Sequence, residues 1–265
     1  MWVCLRLSVG DETTLLYCGL CGSGADARLC FRLDGPPGCG PETMTPEDAH
    51  KALCDARAFA ESGDFEKALE RHEWFHANAL ICDPAYFYGV RLSFALSYWK
   101  ELSDKYPPAL ASLLALRDRG TAALESGHGR AELIHDVRAI NKKLGEGAET
   151  IRLFRIIDQC NPELAKQCFR FVKDELLDRG ETELFCRYTD GLAAYLRDEI
   201  EQFGEFKVHL QARPHVSADV LQRFESRLAD TTLKLADIAT AQGDFTMAGY
   251  LKKMAAKVCD DPRLQ

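Results

Sequence analysis

Apolar residues recur three and four positions apart in one segment after another from residue 46 to residue 258. Leu92, Leu96 and Trp99 have this spacing, for example. An α-helix turns once every 3.6 residues, so the spacing places the apolar side chains on one helical face. No segment alternates apolar and polar residues over a useful length. We therefore predict an all-α chain without a sheet.

The predicted helices follow one another with short breaks, over residues 46–61, 65–80, 84–103, 108–125, 130–144, 148–159, 162–179, 182–203, 217–241 and 245–258. Tight turns are expected near Gly63, Pro107, Gly145, Gly180 and Gly243. Glycine suits such turns because a helix commonly ends on a left-handed residue, which glycine adopts without strain. Longer, looser connections, such as residues 126–129, are expected to separate the resulting pairs of helices. The alternation predicts an α-solenoid of about five antiparallel helical hairpins.

The first and last predicted hairpins carry small and aromatic residues at matching positions. The first has Ala56, Phe59, Gly63-Asp64-Phe65, Ala68-Leu69 and Phe75, and the last has Ala236, Ala239, Gly243-Asp244-Phe245, Ala248 and Ala255. These residues resemble the helix–turn–helix pattern of the tetratricopeptide-repeat family, with divergent unit lengths. The resemblance implies a tetratricopeptide-like superhelix over residues 44–260, in which small residues let paired helices approach closely.

Members of this family mostly act as scaffolds that hold a peptide or a partner helix in a concave groove. The resemblance thus implies a protein-binding module, with the groove formed by the first helix of each hairpin. Polar residues expected to point into that groove are His50, Arg57, Arg91 and Arg138. Such a lining would favour an acidic or aromatic-containing peptide of another protein. On this interpretation the chain is not an enzyme.

The segment from His72 to His76 supports a different hypothesis, because it matches the zinc-peptidase pattern H-E-x-x-H. Histidines four apart on a helix point the same way and could hold Zn²⁺, with Glu73 as general base. The alternative function is therefore a zinc-dependent hydrolase. However, Ala79 and Cys82 stand where the extended motif has glycine and a third histidine. The competing interpretation is a helix face with two partly exposed histidines.

Residues 1–43 differ from the rest because they are rich in Gly, Cys and Pro and lack helical periodicity. They are expected to form a flexible or unstructured tail, or else to precede a true start at Met44. Thr45 and Pro46 then form a helix start, as N-cap and first helical residue. Four cysteines of the tail could hold a zinc ion, although only the first pair is closely spaced: Cys18, Cys21, Cys30 and Cys39.

Composition narrows the function classes further. The 265-residue chain carries a formal net charge of −8, which disfavours broad nucleic-acid binding. No apolar run approaches the roughly 20 residues of a membrane span, and the first residues do not resemble a secretory signal. The eleven cysteines are thus expected to be free thiols in the cytoplasm. No phosphate-binding or dinucleotide motif occurs, so no cofactor is expected.

Overall fold

The computed structural model describes residues 2–9, 12–20, 29–32, 44–211 and 218–264. The first three ranges are strands: β1 (Trp2–Val9), β2 (Glu12–Leu20) and β3 (Leu29–Arg32). They form an antiparallel sheet in the order β1-β2-β3, with Trp2 opposite Gly19 and Tyr17 opposite Arg32.

The sheet differs from the sequence prediction of a chain without strands. Val3, Leu5 and Leu7 alternate with more polar neighbours, and this period of two is typical of a strand. The described part of the segment expected to be an unstructured tail is thus paired backbone. Of the four cysteines proposed for zinc, Cys21 and Cys39 lie outside the described residues. Cys18 and Cys30 lie on β2 and β3 but are not paired with each other.

From residue 44 onward the described chain is α-helical, apart from turns and a final 3₁₀ turn at Pro262–Leu264, as the sequence predicted. The helices are α1 (Pro46–Ser62), α2 (Phe65–Cys82), α3 (Pro84–Leu92), α4 (Phe94–Ser103), α5 (Pro107–Glu125), α6 (Glu132–Leu144), α7 (Gly147–Cys160), α8 (Pro162–Asp178), α9 (Thr182–Arg187), α10 (Leu192–Gln211), α11 (Ala218–Ala241) and α12 (Phe245–Ala255). No helix among the described residues has the length and apolar character needed to cross a membrane.

Two predicted helices are each divided in the structure. The helix predicted over 84–103 breaks at Ser93, whose hydroxyl donates to the Gly89 carbonyl at 2.6 Å. Serine in a helix competes in this way for backbone acceptors and bends the chain. The helix predicted over 182–203 ends at Arg187 and resumes at Leu192, after Gly191 with φ of 102°. Short local signals therefore interrupted long periodic stretches.

The predicted glycine turns are confirmed and share one geometry. Gly63, Gly145, Gly180 and Gly243 all have φ between 68° and 85°. In each case the next residue donates its N–H to the carbonyl five residues earlier, at 2.8 to 2.9 Å. This hydrogen bond satisfies a carbonyl left free at the helix end. It turns the chain so that the following helix can pack back on the preceding one.

Helices contact mainly the next helix along the chain and the next but one. Thus α2 contacts α4, α4 contacts α6, and α6 contacts α8. Ala56 of α1 and Ala68 of α2 are fully buried where those two helices meet, as their small size predicted. The core consequently runs along the chain as a series of buried clusters, and consecutive hairpins together form the surfaces described next.

Candidate functional site

Of the two histidines of the zinc-peptidase pattern, His72 is buried, which corrects the expectation of a partly exposed side chain, whereas His76 is partly exposed as expected. His72 is 1% exposed, and its ring stacks on Trp99 of α4 with centroids 5.8 Å apart. Neither of its ring nitrogens has a hydrogen-bond partner. Burial lowers the pKa of His72 to about 4, so the ring is neutral near pH 7.

His76 belongs to a polar network that joins three helices. Arg91 of α3, itself 5% exposed, donates to His76 Nε2 at 2.8 Å and to Asp136 of α6 at 2.5 Å. Burial first, and then the positive charges of Arg91 and Arg119, lower the pKa of His76 to about 3. A guanidinium thus occupies the nitrogen that a metal ion would need.

Glu73, the general base of the zinc hypothesis, is exposed and accepts a hydrogen bond from the Ser112 hydroxyl of α5. It therefore lies away from the buried ring of His72. In the described chain, no group of three or more His, Cys, Asp or Glu residues is placed to hold a metal. The geometry of this segment favours a structural role over zinc chemistry.

The four residues predicted to line a binding groove are not brought together. His50 and Arg57 are exposed on α1, where Arg57 lies over the Tyr98 ring at 4.5 Å. Arg91 is buried in the network with His76 and Asp136, so it is not available at a surface. Of the four predicted residues, only Arg138 of α6 lines the cavity described below.

A cavity of about 370 Å³ lies between α6, α8, α10 and α11. A second cavity of about 560 Å³ adds Tyr88 of α3 and Glu132 of α6. The two share Arg170, Phe171, Lys173 and Gln202, so they form one continuous depression, here called the groove. Its lining comprises Tyr88, Glu132, His135, Arg138, Arg170, Phe171, Lys173, Asp174, Glu199, Gln202, Phe203, Phe206, Phe224, Arg227, Leu228 and Thr231.

Aromatic rings line the bottom of the groove. Phe206 of α10 and Phe224 of α11 have centroids 3.8 Å apart, and Phe171 stacks on His135 at 5.0 Å. The Tyr88 hydroxyl and His135 Nδ1 are hydrogen bonded at 2.9 Å. Burial, followed by the charge of Arg138, lowers the pKa of His135. The ring is therefore neutral near pH 7, and the bottom of the groove is aromatic and uncharged.

Four ion pairs surround this aromatic bottom. Their partners are Arg138 with Glu175, Lys173 with Glu199, Arg170 with Glu132 at 3.2 Å, and Arg227 with Asp174 at 2.9 Å. The sequence predicted Arg138 as a groove residue, and each of these four cations has a carboxylate beside it. The rim is therefore charge-balanced, and an incoming anion would have to compete with these carboxylates.

Sequence analysis missed the aromatic residues of the groove. Phe171 lies three residues after Cys168 and seven after Leu164, a spacing that is the signal of core packing. Phe203, Phe206 and Phe224 meet only because α10 and α11 lie side by side. Cations interleaved with an aromatic, as in Arg170, Phe171 and Lys173, were the available sequence signal.

Comparison of the chain with known proteins gives no match from which the groove could be interpreted. No protein-family model, no curated protein and no solved structure matches the chain. The groove is therefore interpreted from its own residues.

Proposed function

We propose that the chain is a tetratricopeptide-like α-solenoid that acts as a non-enzymatic scaffold and binds a peptide segment of a partner protein in the groove. The order of helix contacts supports this arrangement, because each hairpin packs mainly on its neighbours. The walls formed by α6, α8 and α11 correspond to first helices of the predicted hairpins, and these should line a concave side.

The observation that carries the proposal is the solvent-open aromatic bottom shared by helices of successive hairpins. Ligand sites are typically concave and apolar, with a few polar groups that set orientation. Buried aromatic and arginine side chains also dominate the energy of protein interfaces. The groove combines Phe171, Phe206 and Phe224 with Arg138 and Arg227.

The described groove lining contains no serine or cysteine that His135 could activate as a nucleophile. Its cations are held in ion pairs and its one histidine is hydrogen bonded to Tyr88, an arrangement that suits recognition.

The preferred peptide has an apolar or aromatic anchor next to a carboxylate. The anchor would pack on Phe206 and Phe224. The peptide carboxylate would form an ion pair with Arg138 or Arg227, shared with the carboxylate that already pairs with that arginine. Because these cations are already paired, the electrostatic gain is modest and mainly affects orientation and association rate. Binding should weaken as salt is added, since the rim is near solvent.

The test is affinity capture from native lysate with the full chain and with Phe206→Ala/Phe224→Ala. We expect at least one partner that the parent chain retains and this double variant loses, with melting temperatures compared to verify folding. Phe94→Ala/Tyr86→Ala is the matched control, because it removes two exposed aromatics outside the groove. If the groove variant keeps every partner while Glu73→Gln loses one, the functional surface is on α2.

The alternative, a zinc-dependent hydrolase using His72, Glu73 and His76, is tested separately. We expect elemental analysis of untagged protein to find no stoichiometric zinc, because Arg91 occupies His76 Nε2. One zinc per chain that is lost in His76→Ala would make the hydrolase the leading interpretation. A retained zinc in that variant would point to other ligands.

A further inference from the structure

The Gly-Asp-Phe turn occurs twice, and the two phenylalanines have different surroundings. Phe65 is half-buried, lies 6.0 Å from the Tyr106 ring and packs against the core cluster that contains Trp99 of α4 and Ala109 of α5. Phe245, at the same position of the last hairpin, is 72% exposed. The position on α12 that corresponds to the covered Phe65 of α2 is therefore open in the described structure.

The open surface of α12 continues along one side of the helix. Tyr250 is 49% exposed, and Thr246, Gly249 and Lys253 are also exposed. Positions 245, 246, 249, 250 and 253 lie on one helical face because they are three and four apart. A side chain built at Gly249 would meet no atom within 4 Å, so another backbone can approach closely there. We call these five residues the α12 face.

The surroundings of the α12 face are cationic. Lys252 and Lys253 lie in the last turn of α12, Lys257 lies just beyond it, and the helix itself has no acidic residue. Within the described residues none of these three ammonium groups has a hydrogen bond or an ion pair. This contrasts with the groove, where the four rim cations are each paired.

We propose that the α12 face is a second docking surface, which takes an amphipathic helix of another protein with acidic residues beside its apolar stripe. The apolar stripe covers Phe245 and Tyr250, and the acidic residues pair with Lys252, Lys253 and Lys257. A helix is a suitable occupant because Gly249 lets another backbone approach the α12 face closely. Charge complementarity selects the acidic flank.

A second copy of this chain fits the α12 face less well. Two α12 faces brought together would offer each other's lysines no carboxylate from the helix itself, because α12 has no acidic residue. The exposed side of α1 does not have the large apolar side chains needed to cover Phe245; its exposed residues are Pro46, Glu47, Asp48, His50, Lys51, Cys54, Arg57, Ala58, Glu61 and Ser62. The favoured occupant is therefore a different protein.

The experiment measures binding of two synthetic, fluorescently labelled helical peptides to the full chain by anisotropy. Both peptides carry leucine along one face; one has glutamate on both flanks and its twin has lysine. We expect the glutamate peptide to bind at least about tenfold more tightly than the twin, and added salt to reduce the difference. Phe245→Ala/Tyr250→Ala should weaken binding of the glutamate peptide by about tenfold or more.

Three further variants separate this surface from others. Lys252→Glu/Lys253→Glu should reverse the preference so that the lysine twin binds more tightly. Phe94→Ala/Tyr86→Ala and the groove variant Phe206→Ala/Phe224→Ala should leave binding unchanged. Loss of binding in the groove variant, with Phe245→Ala/Tyr250→Ala unaffected, would overturn the assignment of the site to α12.

Other outcomes identify other occupants. Equal binding of both peptides would contradict the acidic specificity. Absence of peptide binding, combined with Phe245-dependent binding to phosphatidylserine-containing vesicles, would assign the α12 face to a membrane surface instead. A concentration-dependent increase in mass by light scattering, abolished by Phe245→Ala, would assign it to self-association. Absence of all three would overturn the docking proposal.

Discussion

Gly63-Asp64-Phe65 and Gly243-Asp244-Phe245 form almost the same turn. Their glycines have φ of 85° and 81°, and their aspartates cap the N–H groups of Lys67 and Met247. The helices that follow nevertheless differ: Phe65 packs beside Tyr106, whereas Phe245 is exposed. Identical local residues thus produce the same turn, while the neighbouring helices decide whether the same aromatic becomes core or surface.

The largest expected difference between the two hairpins is in their pH dependence. His72 of α2 is buried with a pKa of about 4, whereas Lys252 stands at the equivalent position of α12. The unfolded chain takes up a proton near pH 6.5 and the folded His72 does not. The burial of neutral His72 therefore contributes fully to the free energy of unfolding above about pH 6.5. This contribution is lost as pH falls toward 4, by on the order of 3 kcal/mol.

Urea unfolding at pH 7 and pH 4.5 measures this loss, and His72→Gln should reduce the difference between the two pH values. His76, which faces Arg91 and Arg119 with Asp136 beyond Arg91, adds to the loss over the same range. Lys252→Gln is the matched control at the equivalent position and should leave the pH dependence as it is. An identical pH profile for His72→Gln would contradict the role assigned to its burial.

The next expected effect comes from removing the equivalent phenylalanines. Phe65→Ala should destabilise the fold by about 2 kcal/mol, because a half-buried ring loses its contacts with Tyr106 and the cluster around Trp99. Phe245→Ala should change stability by less than about 0.5 kcal/mol, since its ring faces solvent. Urea unfolding of both variants is the measurement. Equal losses would mean that Phe245 is covered in solution.

Substituting the turn glycines should have equal effects in the two hairpins. Gly63→Val and Gly243→Val should each cost about 1–2 kcal/mol, because a β-branched residue is strained at positive φ. Neither position is crowded, since a Cβ there would meet no atom within 4 Å. Urea unfolding would contradict the shared turn geometry if only one of the two variants were destabilised.

Gly129 is constrained by crowding from neighbouring atoms and not by a positive φ. The sequence places it in a break with slack, but a Cβ at Gly129 would lie 3.0 Å from the Leu124 backbone nitrogen. The positive φ of that break belongs to Gly127 instead. Gly129→Ala should therefore destabilise the fold by about 1 kcal/mol through crowding. An unchanged urea midpoint would show that the neighbouring backbone moves aside at little cost.

The smallest expected effect comes from Lys252 and Lys253, which lie in the last turn of α12. Lys252→Glu/Lys253→Glu should change the free energy of unfolding by less than about 0.5 kcal/mol, because exposed charges contribute little to stability. Thermal unfolding measures this. A larger loss would show that these lysines support the fold, and their role in docking would then need separate proof.

The repeated glycine turns and the helix positions were predictable because they depend on residues close in sequence. Apolar spacing determines the face of each helix, and Gly63, Gly145, Gly180 and Gly243 determine where helices end. The break at Ser93 was missed because the apolar periodicity continues across it from α3 into α4. The strands in the first 32 residues were missed because the alternation of Val3, Leu5 and Leu7 is short and lies in a segment rich in Gly and Cys.

The candidate site was much less predictable, because its residues come from separate helices. The sequence placed Arg91 in a groove and His72 on a partly exposed face, yet both are buried, where Arg91 pairs with Asp136 and His72 stacks on Trp99. Which neighbouring residues cover a given helix face depends on packing between hairpins, and no local pattern specifies it.

Local sequence thus determined where this chain forms and ends its helices, because capping, glycine turns and apolar periodicity act within a few residues. Only the tertiary structure decided which side chains share a surface. Phe206 and Phe224 become one aromatic bottom when α10 packs beside α11, and Phe65 is covered while Phe245 is not. The physical reason is that burial is a property of packed neighbours and not of a residue alone.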